Sequence, residues 1–250
     1  MGYNQLSIMK NVHLAVLCAS IIIMVSVSGC IWEEEKEKKG EEIYVLEAVI
    51  SVDKNIVYPN EIITFDASSS KGDIEKYYWN FTGGNNWEDE GTEVTHEYSE
   101  PGYYIVKLKV VDVNEDHDYD TVDVYVNYKA EYEGNITKGN NESYFFPNNP
   151  ASKKAFITLK YEPYNGIAGI GLNQNNLDLY VYYNATDDSE VKNSSTLLDP
   201  TAKSTIEETL TITKNEGLIR PGEWRANVKC ESSSAVPVDY HLTIEVYYNY

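Results

Sequence analysis

The stretch His96-Glu97-Tyr98-Ser99-Glu100-Pro101-Gly102-Tyr103-Tyr104-Ile105-Val106-Lys107-Leu108-Lys109-Val110-Val111-Asp112 reads as a turn followed by a strand, and it sets the fold class of the chain. Val, Ile and Tyr dominate its second half, the residue types that fit a pleated, half-buried surface. Glu100-Pro101-Gly102 suits a type II turn, in which proline presets φ, glycine accepts a positive φ, and a strand is launched at Tyr103. Outward from this stretch, residues 45–51, 61–66, 75–81, 103–112 and 121–127 carry the same composition, with partial alternation and turn residues between them. No helical period is sustained. Several short antiparallel strands over about 85 residues argue for a sandwich of two sheets.

The C-terminal part repeats the pattern. Residues 155–161, 177–183, 205–213, 222–229 and 239–248 alternate apolar with polar side chains. Within the last of these, Leu242, Ile244 and Val246 share one face, while His241, Thr243 and Glu245 share the other. Between the two parts, Gly, Asn and Thr replace the β-rich pattern. The fold class is therefore all-β: a sandwich over 44–128, a linker over 129–141, and a second sandwich over 142–250.

The N-terminus belongs to a different class of segment. Lys10 precedes an uncharged stretch that ends in Val27-Ser28-Gly29-Cys30, a lipobox-like pattern whose small residues expose the peptide bond before Cys30 to a peptidase. Residues 1–29 then form a lipoprotein signal peptide. A diacylglyceryl-type lipid on Cys30 anchors an otherwise polar protein at the outer face of a membrane. The competing reading is an uncleaved transmembrane anchor, since about 20 apolar residues span a bilayer. Both place the remainder outside. Residues 30–43 include the run Ile31-Trp32-Glu33-Glu34-Glu35-Lys36-Glu37-Lys38-Lys39, too polar to bury anything, which reads as a charged tether.

Charge and cysteines narrow the functional classes. With 40 acidic against 20 basic residues, the formal net charge is −20, and nucleic acid is excluded as a partner because phosphate backbones need a basic face. Of the cysteines Cys18, Cys30 and Cys230, the first leaves with the signal peptide and the second carries lipid. Cys230 is left without a partner and reads as a buried, inert thiol. Asn-x-Ser/Thr sequons begin at Asn80, Asn135, Asn141, Asn184 and Asn193. The last four fall in expected loops or linkers and are glycosylation candidates. Asn80, next to Trp79 at a strand end, is not.

Three separated motifs carry a family resemblance. Thr64-Phe65-Asp66-Ala67-Ser68-Ser69-Ser70, Tyr78-Trp79-Asn80-Phe81, and the opening stretch from His96 to Asp112 resemble, in order and spacing, a polycystic kidney disease (PKD) domain over roughly residues 44–127. The resemblance implies an immunoglobulin-like β-sandwich of the kind found on cell-surface proteins, often beside enzymes or in tandem arrays, where it mediates adhesion or spacing. Trp79, flanked by Tyr78 and Phe81, is expected as a core anchor. Trp87, among Asn85, Asn86, Glu88 and Asp89, stands open between a core role and stacking on sugar. The chain departs from the family at Asn80-Phe81-Thr82-Gly83-Gly84-Asn85, where the usual aspartates are missing. Calcium has been associated with some relatives through loop carboxylates, which makes Asp66, Asp112 and Asp116 candidate ligands here. Their alternative is turn capping.

Leu177-Asp178-Leu179-Tyr180-Val181-Tyr182, Arg220-Pro221-Gly222-Glu223-Trp224-Arg225-Ala226-Asn227-Val228 and Asp239-Tyr240-His241-Leu242-Thr243-Ile244 resemble a divergent pre-peptidase C-terminal (PPC) domain. That family implies a jelly-roll module attached to secreted hydrolases, with residues 185–203 departing from its pattern. Calcium binding in some members points at Asp178, Asp187 and Asp188, with an ordinary exposed turn as the rival for the last two.

Catalytic signatures are lacking. The sequence holds no His-Glu-x-x-His, no Gly-x-Ser-x-Gly, no phosphate-cradling glycine loop and no clustered Cys/His set. His117, between Asp116 and Asp118, is a loop histidine flanked by carboxylates, and one histidine is insufficient for a site. The chain is expected to be a non-enzyme without a cofactor other than calcium. The leading reading is a lipid-anchored adhesion or envelope-scaffolding protein whose partners are the membrane and envelope proteins or polysaccharide. An accessory subunit presenting substrate to an extracellular hydrolase or transporter is the alternative, and a calcium-stabilised spacer is a third.

Overall fold

A computed structural model describes residues 45–89, 91–162, 164–165, 173–183, 190–194, 205–216, 222–232 and 236–249. The expectations for Cys30, the signal peptide, the tether, Asn184, Asp187 and Asp188 lie outside the described residues. Among those described, no helix is long and apolar enough to cross a membrane.

The first half consists of β1 (Ser51–Val52), β2 (Ile56–Val57), β3 (Ile62–Asp66), β4 (Ile74–Asn80), β5 (Glu88–Asp89), β6 (Glu93–Glu97), β7 (Gly102–Asp112) and β8 (His117–Val126). A three-stranded sheet, β1-β3-β6, faces a five-stranded one, β2-β8-β7-β4-β5. Ile63, Phe65 and Val94 from the first sheet and Trp79, Val106, Leu108, Val110 and Val124 from the second meet in one buried core. Alternation makes this possible, since residues two apart on β7 point inward while Tyr103, Ile105, Lys107 and Lys109 point out. Trp79 is fully buried, with Phe65 at 6.0 Å and Phe81 at 6.2 Å between ring centroids, and its indole N–H donates to the Gly91 carbonyl at 3.1 Å. It is the core anchor expected from the sequence.

The second half consists of β9 (Tyr128–Ile136), β10 (Asn141–Asn148), β11 (Lys154–Tyr161), β12 (Tyr164–Asn165), β13 (Asn173–Gln174), β14 (Leu177–Tyr182), β15 (Glu190–Asn193), β16 (Ile206–Thr213), β17 (Gly222–Cys230) and β18 (Val238–Tyr247), with a 3-10 turn at Lys214–Glu216. Leaving aside the short pair β12-β13, its sheets are β16-β11-β18-β9 and β10-β17-β14-β15. Successive strands pass back and forth between these sheets, and the order is that of a jelly roll. Trp224, Phe146, Leu159, Leu179 and Leu242 lie in its core, and Cys230 is fully buried there.

Three local expectations are corrected. Residues 129–141 are not a linker: β9 runs through them and pairs with β18 from Tyr128↔Val246 to Ile136↔Val238, so a single residue, Asn127, separates the two sandwiches. Gly134 looked like a break because glycine usually marks a turn, but here it makes room for a neighbour. A Cβ at Gly134 would lie 2.1 Å from Cζ of Tyr240, the residue paired with it across the ladder. Residues 45–51 are not a continuous strand either: their backbone pairs only at the Glu47–Lys71 bridge and at Ser51, where β1 begins. The N–H groups of Ala48 and Ile50 donate instead to the carboxylates of Asp118 and Asp120, at 2.9 and 2.8 Å. Gly102, expected at a positive φ, has none and opens β7, where its missing side chain leaves room for the Tyr104 ring.

Candidate functional site

The outer face of the five-stranded sheet carries a group of half-buried and exposed aromatics. Register places Tyr78 on β4 opposite Lys109 on β7, and Lys109 opposite Tyr119 on β8, so these three side chains form one row across the sheet. The ring of Trp87, just before β5, joins them. Lys109 Nζ lies 4.3 Å from the centroid of Tyr78 and 5.2 Å from that of Trp87. Trp87 and Tyr119 are 6.0 Å apart and tilted by 50°, and the His117 ring meets Tyr119 edge-on at 5.3 Å. Tyr119 is 52% exposed. The ammonium held between two π faces contributes about 0.5–1 kcal/mol at an exposed site and orients Trp87 over the sheet.

This arrangement offers flat apolar rings beside a cation and hydroxyls, which suits stacking and hydrogen bonding. About 20 Å along the same face, by the rise of roughly 3.3 Å per residue, Tyr103 and Tyr125 stack at 5.4 Å. Trp87 was legible in the sequence as a loop tryptophan. Tyr78, Lys109 and Tyr119 were not, because only the strand register brings them to it.

Of the described candidate carboxylates, only Asp112 and Asp116 share a turn. Asp66 accepts from the N–H and hydroxyl of Ser68, at 2.7 and 2.9 Å, which holds its carboxyl below the usual range. Asp112 is fully buried, and its Oδ1 accepts the N–H groups of Asn114 and Asp116, both at 2.8 Å, bracing the β7–β8 turn where Glu115 has φ 69°. Asp116 is exposed in that turn. Asp178 on β14 is raised above its ordinary value by burial and by Glu231. Among the described residues, no group of three His, Cys, Asp or Glu side chains is placed to hold a metal ion.

The described sequons begin on strands rather than in loops. Asn135 is exposed on β9 and donates to Asp239 at 2.5 Å, Asn141 is exposed at the start of β10, and Asn193 ends β15 beside Glu190. Asn80 is fully buried, its amide spent on Gly84, Thr82 and Gly83.

The histidines have separate settings. His241 Nδ1 is 2.7 Å from Glu133 on the polar face of β18. His96 stacks on Phe81 at 4.2 Å and meets Tyr98 edge-on at 4.7 Å, and burial pushes it below its ordinary value against the opposing pull of Glu88 and Glu97. The unfolded chain therefore takes this proton first, at about pH 6.5. The contribution is complete above that pH and is lost as the pH falls through the lower folded value. Urea midpoints taken between pH 7.5 and 5 should fall further for the wild type than for His96→Phe, which keeps the stack without the titration. Equal falls would remove His96 from the acid response.

Solved structures resemble the chain at low identity. One is described as the structural basis for the promiscuous specificity of the carbohydrate-binding modules from the beta-sandwich super family, with 13% identity and a TM-score of 0.32 over 80% of this chain and 90% of that one. Another is the infectious bursal disease virus VP2 subviral particle, with 10% identity and a TM-score of 0.34 over 74% and 55%. A stretch of 70 residues is 39% identical to Collagenase ColA of Clostridium perfringens (strain 13 / Type A), covering 27% of this chain and only 6% of the collagenase. The sequence model of the PKD domain family matches residues 47–126, the span that holds β1 to β8 and the Trp87–Lys109–Tyr119 face.

Proposed function

We propose that this protein is a non-catalytic binding protein, held at the outer face of a membrane through Cys30, whose PKD-like sandwich engages envelope polysaccharide through the Trp87–Lys109–Tyr119 face. The observation that carries the proposal is the register-built row Tyr78, Lys109 and Tyr119 with Trp87 laid across it. Aromatic rings supply contact area at low entropic cost, and aromatic anchors carry most of the energy of a typical contact surface. An acidic chain that keeps a lysine among these rings suits a hydroxyl-rich or anionic polymer better than a basic one. The polar tether over 30–43 gives the sandwich reach from the membrane.

Sedimentation of the full chain, solubilised in detergent, with isolated envelope polysaccharide tests this reading. Trp87→Ala and Tyr119→Ala should each weaken binding by about 10–30-fold, the range of an aromatic anchor, without lowering the melting temperature by more than about 4 °C. Unchanged binding by both variants would overturn it. The match of a segment to part of a collagenase favours a second reading, an accessory protein that presents substrate to a separate hydrolase. Cross-linking on intact cells that captures one dominant hydrolase would select it.

A further inference from the structure

A cleft of ≈ 400 Å³ opens where the two sandwiches meet, lined by Tyr103, Tyr125, Ala151, Lys153, Tyr248 and Asn249. Its size falls within the range of small-ligand sites, about 300–1,000 Å³. Tyr103 and Tyr125 stack on one another across β7 and β8, and both hydroxyls are tied back to Asp123, at 2.8 and 3.5 Å. Those bonds pin the rings, so the apolar wall is already in place before a ligand arrives. Asn249 is fixed as well, its Oδ1 accepting from the amide of Asn127 at 3.3 Å.

The cation in this cleft has an unexpected neighbour. The β11–β16 ladder pairs Lys154 with Thr213, which sets the flanking Lys153 and Lys214 side by side, and the contact with Lys153, reinforced by its charge, lowers the proton affinity of Lys214. Among the described residues, neither ammonium has a carboxylate within salt-bridge distance. Carboxylates outnumber cations 40 to 20 in this chain, so partners for two surface lysines were abundant. Two lysines set side by side form a local anion-attracting spot, and with a Debye length of about 8 Å at physiological salt the distant acidic surface does not cancel it.

We infer that this cleft is a binding site for a carboxylate-bearing sugar, with the pyranose face against Tyr103 and Tyr125, the carboxylate on Lys153 and Lys214, and a hydroxyl on the Asn249 amide. A neutral sugar would leave the lysine pair unused. A bare inorganic anion would leave the tyrosine wall unused. The site stands on its own residues and does not depend on the Trp87 face.

The test is calorimetric titration of the full chain in detergent with oligoglucuronate, with a glucose oligomer of equal length and inorganic phosphate as comparisons. Oligoglucuronate should bind at least tenfold more tightly than either comparison, and raising the salt from 50 to 500 mM should weaken it severalfold. Lys153→Gln and Lys214→Gln, both surface changes, should each remove most of the preference for the acid. Tyr125→Phe, which keeps the ring, should bind as the wild type does, whereas Tyr103→Ala should weaken both sugars. Trp87→Ala should leave this binding intact, which separates the site from the outer face. Equal affinity for the acidic and neutral oligomers, phosphate binding as tightly as the sugar acid, or indifference to both lysine changes would each overturn the assignment.

Discussion

Trp79→Ala should remove about 3–5 kcal/mol of stability, the range for truncating a buried tryptophan. Its ring is fully buried between Phe65 and Phe81, so the cavity opens where the two sheets meet. The same change also strips the Gly91 carbonyl of its indole donor. Trp87→Ala makes the opposite case. That ring is half-exposed and rests on Lys109 and Tyr119, so its removal should cost at most about 1 kcal/mol, the scale of an exposed cation–π contact. Urea unfolding of both variants, followed by far-ultraviolet circular dichroism, separates a structural tryptophan from a surface one. A loss below 1 kcal/mol for Trp79→Ala would mean that the core is not organised around it. A large loss for Trp87→Ala would make that residue a structural element and undercut the binding face.

What the sequence could express was periodicity, and what it could not express was pairing. The inward sets Val106, Leu108, Val110 and Leu242, Ile244, Val246 follow from alternation alone, and all six are fully buried. Two tryptophans placed in β-rich motifs, Trp79 and Trp224, proved to be the largest fully buried side chains of the two cores. Gly134 misled because a glycine in a strand carries two opposite messages, a turn or a close approach, and only the facing residue decides between them. That residue, Tyr240, is more than 100 positions away in the chain. Asp118 and Asp120 were equally opaque, since nothing local reveals a carboxylate that replaces a backbone carbonyl for a neighbouring segment.

The binding surfaces follow the same division. Trp87 drew notice as an aromatic residue in a polar loop, yet its partners Lys109 and Tyr119 come from two different strands. Tyr103 and Tyr125 look like ordinary β-formers until the register sets them opposite one another beside Lys153. Composition pointed away from nucleic acid and said nothing of a local cationic site, because a net charge averages over a whole chain and hides a pair of lysines standing together. The candidate calcium ligands show the converse: Asp66 and Asp112 end β3 and β7 where a turn begins, and their oxygens accept from those turns.

Asn127→Leu should cost about 2–3 kcal/mol and split one unfolding transition into two. Asn127 is the only residue between β8 and β9, and it is 2% exposed. Its Oδ1 accepts the buried N–H of Tyr248 at 3.0 Å, its amide donates to Asn249 at 3.3 Å, and its own N–H donates to the Val57 carbonyl at 2.8 Å. The side chain thus ties the junction to the end of the last strand. Leucine is similar in volume and leaves the third bond, which belongs to the backbone, in place. It removes the other two and orphans the Tyr248 N–H, at a penalty of about 1–3 kcal/mol for a buried unpaired donor. Each sandwich keeps its own core, with the seam then held by Asn149 donating to the Pro101 carbonyl and by Tyr125 packing against the second core. Coupling of this size decides whether two such modules unfold together, so its loss should appear in calorimetry as a broadened or double endotherm. The same variant should loosen the cleft, because Asn249 and Tyr248 line it. A single transition at the wild-type midpoint would show that the contacts around Tyr125 and Pro101 join the sandwiches without Asn127.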